Sequence, residues 1–210
     1  MRHLARLTSV LALAVLVAGC GTVDKPVRPS LYDFGPGLPA APAGQSQSLP
    51  PLVLADIESI GGLEGSAVHY RLGYADVHQL RPYAQARWSA SPAQLIRQRL
   101  REQLGQQRVV LNLGESAALA RGGRAAPRVL RIEVEEFTHF FESPTESFGL
   151  VRMRATLLDY AAGGERLVAQ RSFNVRRPAT SADAPGGVRA LTDATDAMAG
   201  EIGQWLQQAN

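Results

Sequence analysis

Apolar and polar positions in the second half of the chain follow a two-residue repeat. Leu130, Ile132 and Val134 are interleaved with Arg131, Glu133 and Glu135, which predicts a strand with one buried and one wet face. The phase shifts between Glu136 and Phe137, the mark of a bulge. Val151, Met153, Ala155 and Leu157 alternate with Arg152, Arg154 and Thr156 on the next strand. Folding the two into a hairpin sets Glu133 and Glu135 near Arg152 and Arg154, a favourable cross-strand pairing. A third strand is predicted over Leu167–Val175, after the turn Ala161-Ala162-Gly163-Gly164. Earlier, Leu52–Ile57 is an apolar run closed by Asp56 and Glu58, as for a strand buried on both faces. Val68, Tyr70 and Leu72 alternate with His69 and Arg71 before Gly73, and Val77–Trp88, with Pro82 inside it, reads as an irregular edge.

Two stretches switch to helical spacing. Ser91-Pro92-Ala93-Gln94 combines a capping serine, a proline at the first helical position and a glutamine at the third. The helix it opens is predicted to run to about Gln107, burying Leu95, Ile96, Leu100 and Leu104. Leu191, Thr195, Met198, Ile202 and Trp205 recur at spacings of four and three, so the C-terminal segment is an amphipathic helix that covers the sheet. The expected fold is α/β: a single compact domain, with a mixed and largely antiparallel sheet packed with two main helices.

The first fifty residues look different. A basic patch, Arg2, His3 and Arg6, precedes an unbroken apolar run from Val10 to Ala18, then Gly19 and Cys20. The run falls short of the roughly 20 apolar residues a spanning helix needs, so residues 1–19 read as a secretory signal. Cys20 is the chain's single cysteine, which rules out a disulfide within one monomer. Residues 21–51 are rich in Pro, Gly, Ala, Ser and Gln, so residues 20–50 are expected to form a flexible tether reaching some 30 Å. One island interrupts it, a short strand predicted near residues 31–35 in Leu31-Tyr32-Asp33-Phe34-Gly35. The domain proper is then expected over residues 51–210, an ordinary size for one core.

Charge narrows the partners. Two of the 22 basic residues lie in the signal, leaving 20 bases against 19 acids, and the bases are scattered. No stripe for nucleic acid remains. His69, His78 and His139 have no metal-ligand spacing, and no cofactor motif is present. Gly61-Gly62 and Gly122-Gly123 are not followed by the Lys-Ser or Lys-Thr of a phosphate cradle, and no Gly-x-Ser-x-Gly elbow occurs. Glu133, Glu135 and Glu136 read as a solvated strand face, not as an acid–base pair. Catalysis is not expected.

Two aromatic groups could meet a partner. Arg81, Tyr83, Arg87 and Trp88 are residue types enriched at interface hot spots, although Tyr83 and Trp88 could equally anchor their strand to the following helix. Phe137, Phe140, Phe141 and Phe148 gather at the predicted hairpin tip around Pro144, where they either cap the core or expose Phe140 and Phe141 to a protein or lipid.

Val17-Ala18-Gly19-Cys20 resembles the lipobox of bacterial lipoproteins, which implies lipidation at Cys20 and a palmitate-bearing membrane anchor. Gly21, where inner-membrane lipoproteins carry Asp, implies the outer membrane over the inner one. The lipobox, Tyr32-Asp33-Phe34-Gly35, the segment from Arg81 to Trp88 leading into Ser91-Pro92-Ala93-Gln94-Leu95, and the strand from Leu130 to Phe137 together resemble the ABC-type transport auxiliary lipoprotein family, in its PqiC-like, MCE-associated branch. That resemblance implies a noncatalytic periplasmic subunit working with MCE-domain proteins and ABC permease subunits to move phospholipid between inner and outer membranes. ATP hydrolysis would belong to another subunit. A lipoprotein assembly factor for lipopolysaccharide or outer-membrane proteins is the alternative, a lipid carrier with its own cavity is a third reading, and an oligomer is compatible with each.

Overall fold

The computed structural model describes residues 28–37, 49–59, 61, 63–121, 126–161 and 164–209. Nine strands are described: β1 Ser30–Tyr32, β2 Leu49–Leu54, β3 Glu58–Ser59, β4 Ala67–Leu72, β5 Asp76–Trp88, β6 Arg108–Leu111, β7 Arg128–Phe141, β8 Ser147–Ala161 and β9 Gly164–Pro178. The helices are α1 Pro92–Gly105, α2 Leu113–Arg121 and α3 Ala184–Gln208.

β7 organises the sheet. Along one side it pairs antiparallel with β8 over nearly its whole length, and β8 pairs antiparallel with β9. Along its other side three short strands line up in parallel: β2 against Arg128–Leu130, β3 against Glu133–Val134 and β4 against His139–Phe141. β2 also pairs with β6, β4 turns back into β5, and β1 lies parallel to the end of β5. The sheet is mixed, as the alternation implied. The two predicted main helices are α1 and α3; α3 lies across β7, β8 and β9 and packs on α1.

The expected bulge sits at Glu135. Glu133 faces Arg154 and Val134 faces Met153, but Glu136 faces Arg152, so Glu135 is the extra residue. The buried phase consequently moves from Leu130, Ile132 and Val134 to Phe137, His139 and Phe141. On the outer face Arg154 contacts Glu133 at 3.3 Å and Glu135 at 2.6 Å, and Arg152 contacts Glu135 at 3.4 Å, the ion pairs expected of this hairpin. Val151, Met153, Ala155 and Leu157 are all buried under the helices. Gly149 lets α3 approach closely, because a Cβ there would strike the backbone of Ala190.

Three differences from the sequence reading matter. The sheet begins at Ser30 and not at residue 51: Tyr32 pairs with Trp88, and Phe34 is buried against Trp88 and Phe137. The island in the expected tether thus belongs to the domain, because Phe34 gains more by burial than an extended linker could offer. The irregular edge predicted over Val77–Trp88 is β5, whose pairing with β4 shifts register twice, and Pro82 is tolerated because β1 covers only Ala86–Trp88 of its outer side. β6 and α2 are additional elements. Finally α1 ends at Gly105, with Ser91 capping the Gln94 amide at 3.4 Å. Residues 1–19 and Cys20 lie outside the described residues.

Candidate functional site

The end of the sheet where the β4–β5 turn, the β7–β8 turn and the start of α3 meet collects the polar and aromatic groups of greatest interest. The bulge at Glu135 turns His139 inward, and its side chain is 0% exposed. The Tyr83 hydroxyl of β5 shares a hydrogen bond with His139 Nδ1 at 2.8 Å, across the intervening β4. Tyr70 of β4 stacks on Tyr83 with ring centres 4.6 Å apart, and Phe141 lies 4.4 Å from His139. Gly187, in the first turn of α3, passes directly over the imidazole, where any Cβ would collide with Nδ1 and Cγ. Asp183 caps α3 by accepting from the Gly186 amide at 2.9 Å.

Burial holds His139 neutral, its pKa pushed down to about 4, with the nearby Asp183 opposing the shift. Burial likewise raises Tyr83 far above its ordinary range, so the hydroxyl keeps its proton. His139 Nε2 has no hydrogen-bond partner in the described structure. The arrangement clamps three strands and a helix together.

The residues proposed for partner contact are divided by the fold. Trp88 is 1% exposed and packs edge-on to Phe34 at 5.5 Å, so it is a core residue and not a surface anchor. Phe141 is also buried, in the His139 clamp. Both are drawn inward by their strand phase, which the residue types alone do not reveal. Tyr83 is half-buried in the same clamp. Arg81 is half-buried and donates through Nε to Gln79 at 2.8 Å, while Arg87 donates to the Ala86 carbonyl at 2.8 Å. Phe140 is half-buried and stacks on Phe148 at 5.1 Å. Arg81 and Arg87 on β5 and Phe140 on β7 thus remain partly accessible. Cys20 falls outside the described residues.

The strand predicted over Leu167–Val175 is β9, and its run of unopposed arginines is a surface feature that the alternation alone does not single out. No acidic residue occurs between Glu165 and Asp183, whereas Arg166, Arg171, Arg176 and Arg177 all fall there. The local absence of acids was the available signal; the open position of this strand was not.

Among the described residues, a cleft of about 730 Å³ lies between Asp56–Ser59 and the start of α1, with Asp56, Glu58, Glu64 and Arg97 in its wall, a poor match for an acyl chain. Among the described residues no group of three or more His, Cys, Asp or Glu is placed to hold a metal. No described helix is long and apolar enough to cross a membrane.

Comparison with known proteins adds a family. The sequence model described as "ABC-type transport auxiliary lipoprotein component" matches residues 32–203. A solved structure from Xanthomonas campestris, of a protein in the DUF330 family, has 18% identity and a TM-score of 0.67 and covers 86% of this chain and 96% of its own. A second structure, of an uncharacterized protein, has 15% identity and a TM-score of 0.61 and covers 85% of this chain and 99% of its own. Both support the fold. No curated protein matches the chain.

Proposed function

Because the chain belongs to the ABC-type transport auxiliary lipoprotein family, we propose that it serves as the noncatalytic, lipid-anchored subunit of an MCE-type ABC transport system moving phospholipid between the inner and outer membranes. The observation that carries this reading is the family match over residues 32–203, preceded closely by Val17-Ala18-Gly19-Cys20. Acyl chains on Cys20 hold the domain at the periplasmic face of a membrane, since two or more chains anchor a protein stably. Gly21 favours the outer membrane. The transport energy comes from the permease complex, and this domain supplies a docking body.

The early start of the sheet sharpens the geometry. Only nine residues separate Cys20 from Ser30, in place of a tether of about 30 residues. Even fully extended, that segment spans at most about 35 Å. The domain therefore works against the bilayer surface, and the partner must come to it.

Crosslinking from intact envelopes with the lipidated protein as bait tests the proposal. Recovery of MCE-domain and permease subunits is expected, whereas recovery of lipopolysaccharide or outer-membrane-protein assembly machinery alone would overturn it. Palmitate labelling of the native chain and of Cys20→Ser checks the anchor separately: label on the first and none on the second is expected.

A further inference from the structure

β9 is hydrogen-bonded along one side to β8 and, among the described residues, to nothing along the other. An open edge of this length is a row of unpaired N–H and C=O groups, a template for another strand. Over much of it neither a bulge nor an internal proline blocks pairing, and the only guard is charge of one sign. The strand's register shift lies between Leu167 and Ala169, so Ala169–Pro178 runs in unbroken register, with no proline before the last residue. Phe173 and Val175 are buried beneath α3 and hold this half in place.

Its charges are of one sign on both faces, with Arg171 and Arg177 on the face of Phe173 and Arg176 on the opposite one. Arg171 sits 4.9 Å over the Phe173 ring and Arg176 sits 4.9 Å over Phe148, so both guanidinium groups are braced on aromatic faces. Arg177 donates to the Arg176 carbonyl at 3.1 Å. None of these three has a carboxylate partner among the described residues, whereas Arg166 pairs with Asp159 at 3.0 Å and Arg152 and Arg154 pair with Glu135. At the strand's end an open cleft of about 460 Å³ is bordered by Phe148, Arg176 and Pro178, with Glu142 and Glu146 also in its wall. A second copy pairing β9 to β9 would set arginine beside arginine, which is unfavourable. An acidic strand meets both the open backbone and the unneutralised charge.

We propose that the Ala169–Pro178 edge of β9 takes up an extended, acidic segment of a partner protein as an added strand, main-chain hydrogen bonds giving affinity and Arg171, Arg176 and Arg177 giving charge selectivity. This deepens the docking role proposed above, and it does not depend on which transport subunit supplies the segment.

The test uses the full lipidated chain in detergent micelles with three labelled peptides of about ten residues: alternating Glu and Val, alternating Lys and Val, and the Glu–Val peptide with alternate Val replaced by Pro. Saturable binding of the Glu–Val peptide alone is expected, weakened roughly tenfold from low to physiological salt. Amide hydrogen exchange of the outward-facing N–H groups within residues 169–177 should slow in that complex and nowhere else. The double variant Arg171→Glu/Arg176→Glu should lose the Glu–Val peptide and gain the Lys–Val one, a result that also shows the variant is folded. Equal binding of the acidic and basic peptides, equal binding of the proline peptide, or protection away from β9 would each overturn the proposal. So would protection of the same amides that grows with protein concentration without peptide, since a second copy would then be the occupant. If peptide uptake succeeds while envelope crosslinking recovers no transport subunit, the transporter reading fails and the β9 site stands.

Discussion

The hydroxyl of Tyr83 lies 2.8 Å from Nδ1 of His139, joining β5 to β7 across the strand between them. An aromatic pair on a surface hairpin would serve recognition; this pair is a strut. Replacing Tyr83 by Phe keeps the stack on Tyr70 and removes one hydrogen bond to a buried ring, so a loss of about 1 kcal/mol in urea unfolding is expected.

The same strut makes stability depend on acid. Unfolded, the imidazole titrates near its ordinary value of about 6.5; folded, burial holds it down to about 4. Above the upper value neither state binds the proton, and the full contribution of His139 is present. As pH falls between the two values the unfolded chain takes up a proton that the native chain refuses, and up to about 3 kcal/mol is lost. His69 is also lowered by burial, beside Arg71 and Arg87, and adds a loss of the same sign. Asp183, held low by the Ser181 hydroxyl and the Gly186 amide, extends the loss to lower pH. Urea midpoints at about pH 7.5 and pH 4.5 should differ markedly for the native chain and less for His139→Leu; equal differences would show that the histidine is not the sensor.

Gly187 is set against His139 in a way that helix propensity opposes. Glycine in a helix interior ordinarily costs about 1 kcal/mol relative to alanine. Here a Cβ would enter the imidazole, and overpacking of that kind costs about 1–3 kcal/mol. Gly187→Ala should therefore lower the melting temperature, and His139→Ser should relieve much of that loss. Gly200, on the same helix with open space around its Cβ direction, is the control. Gly200→Ala should leave stability unchanged or raise it.

Much of this architecture was legible because burial imposes a period. Leu130, Ile132 and Val134, then Phe137, betrayed both the strand and its bulge, and Ser91 with Pro92 marked the start of α1. β6 and α2 escaped because four residues and nine residues carry too few repeats to show a period. A local signal was nevertheless present: Asn112 and Glu115 cap one another reciprocally, with Glu115 N donating to Asn112 Oδ1 at 2.8 Å and Asn112 N donating to Glu115 Oε2 at 2.7 Å. Trp88 and Phe141 could not be assigned a side from composition, since an aromatic residue suits a core and an interface equally. The open edge of β9 is a property of sheet order, which pairs residues far apart in the chain.

Phe34 decides where the domain begins. Its ring contacts Trp88 and Phe137, and its carbonyl accepts from the buried Arg99, which also pairs with Asp196 at 3.2 Å. Phe34→Ala should cost about 3–5 kcal/mol. Leu31, two-thirds exposed or more at 72%, should cost no more than about 0.5 kcal/mol when replaced by Ala. Differential scanning calorimetry separates the two. Equal and small effects would return residues 30–35 to the tether and restore its longer reach.

Deleting Glu135 alone, and deleting it together with Glu136, separates the bulge from the alternation it interrupts. β8 runs without a break from Met153 through Arg152 to Val151 opposite Val134, Glu136 and Phe137, so loss of the one extra residue leaves every side chain of β7 on its present face and removes the bulge and the ion pairs of Glu135 to the half-exposed Arg152 and Arg154. The single deletion should therefore keep a cooperative unfolding transition, and Glu135→Ala, which removes only those ion pairs, should cost less than about 1 kcal/mol. Deleting Glu136 as well takes one residue out of the alternation, and a one-residue slip turns side chains to the other face, so either Phe137, His139 and Phe141 or Leu130, Ile132 and Val134 leave the core. That double deletion should lose cooperative unfolding. Far-ultraviolet circular dichroism with urea titration distinguishes the cases. A double-deletion variant as stable as the single one would mean that the phase of β7 is not what holds the core together.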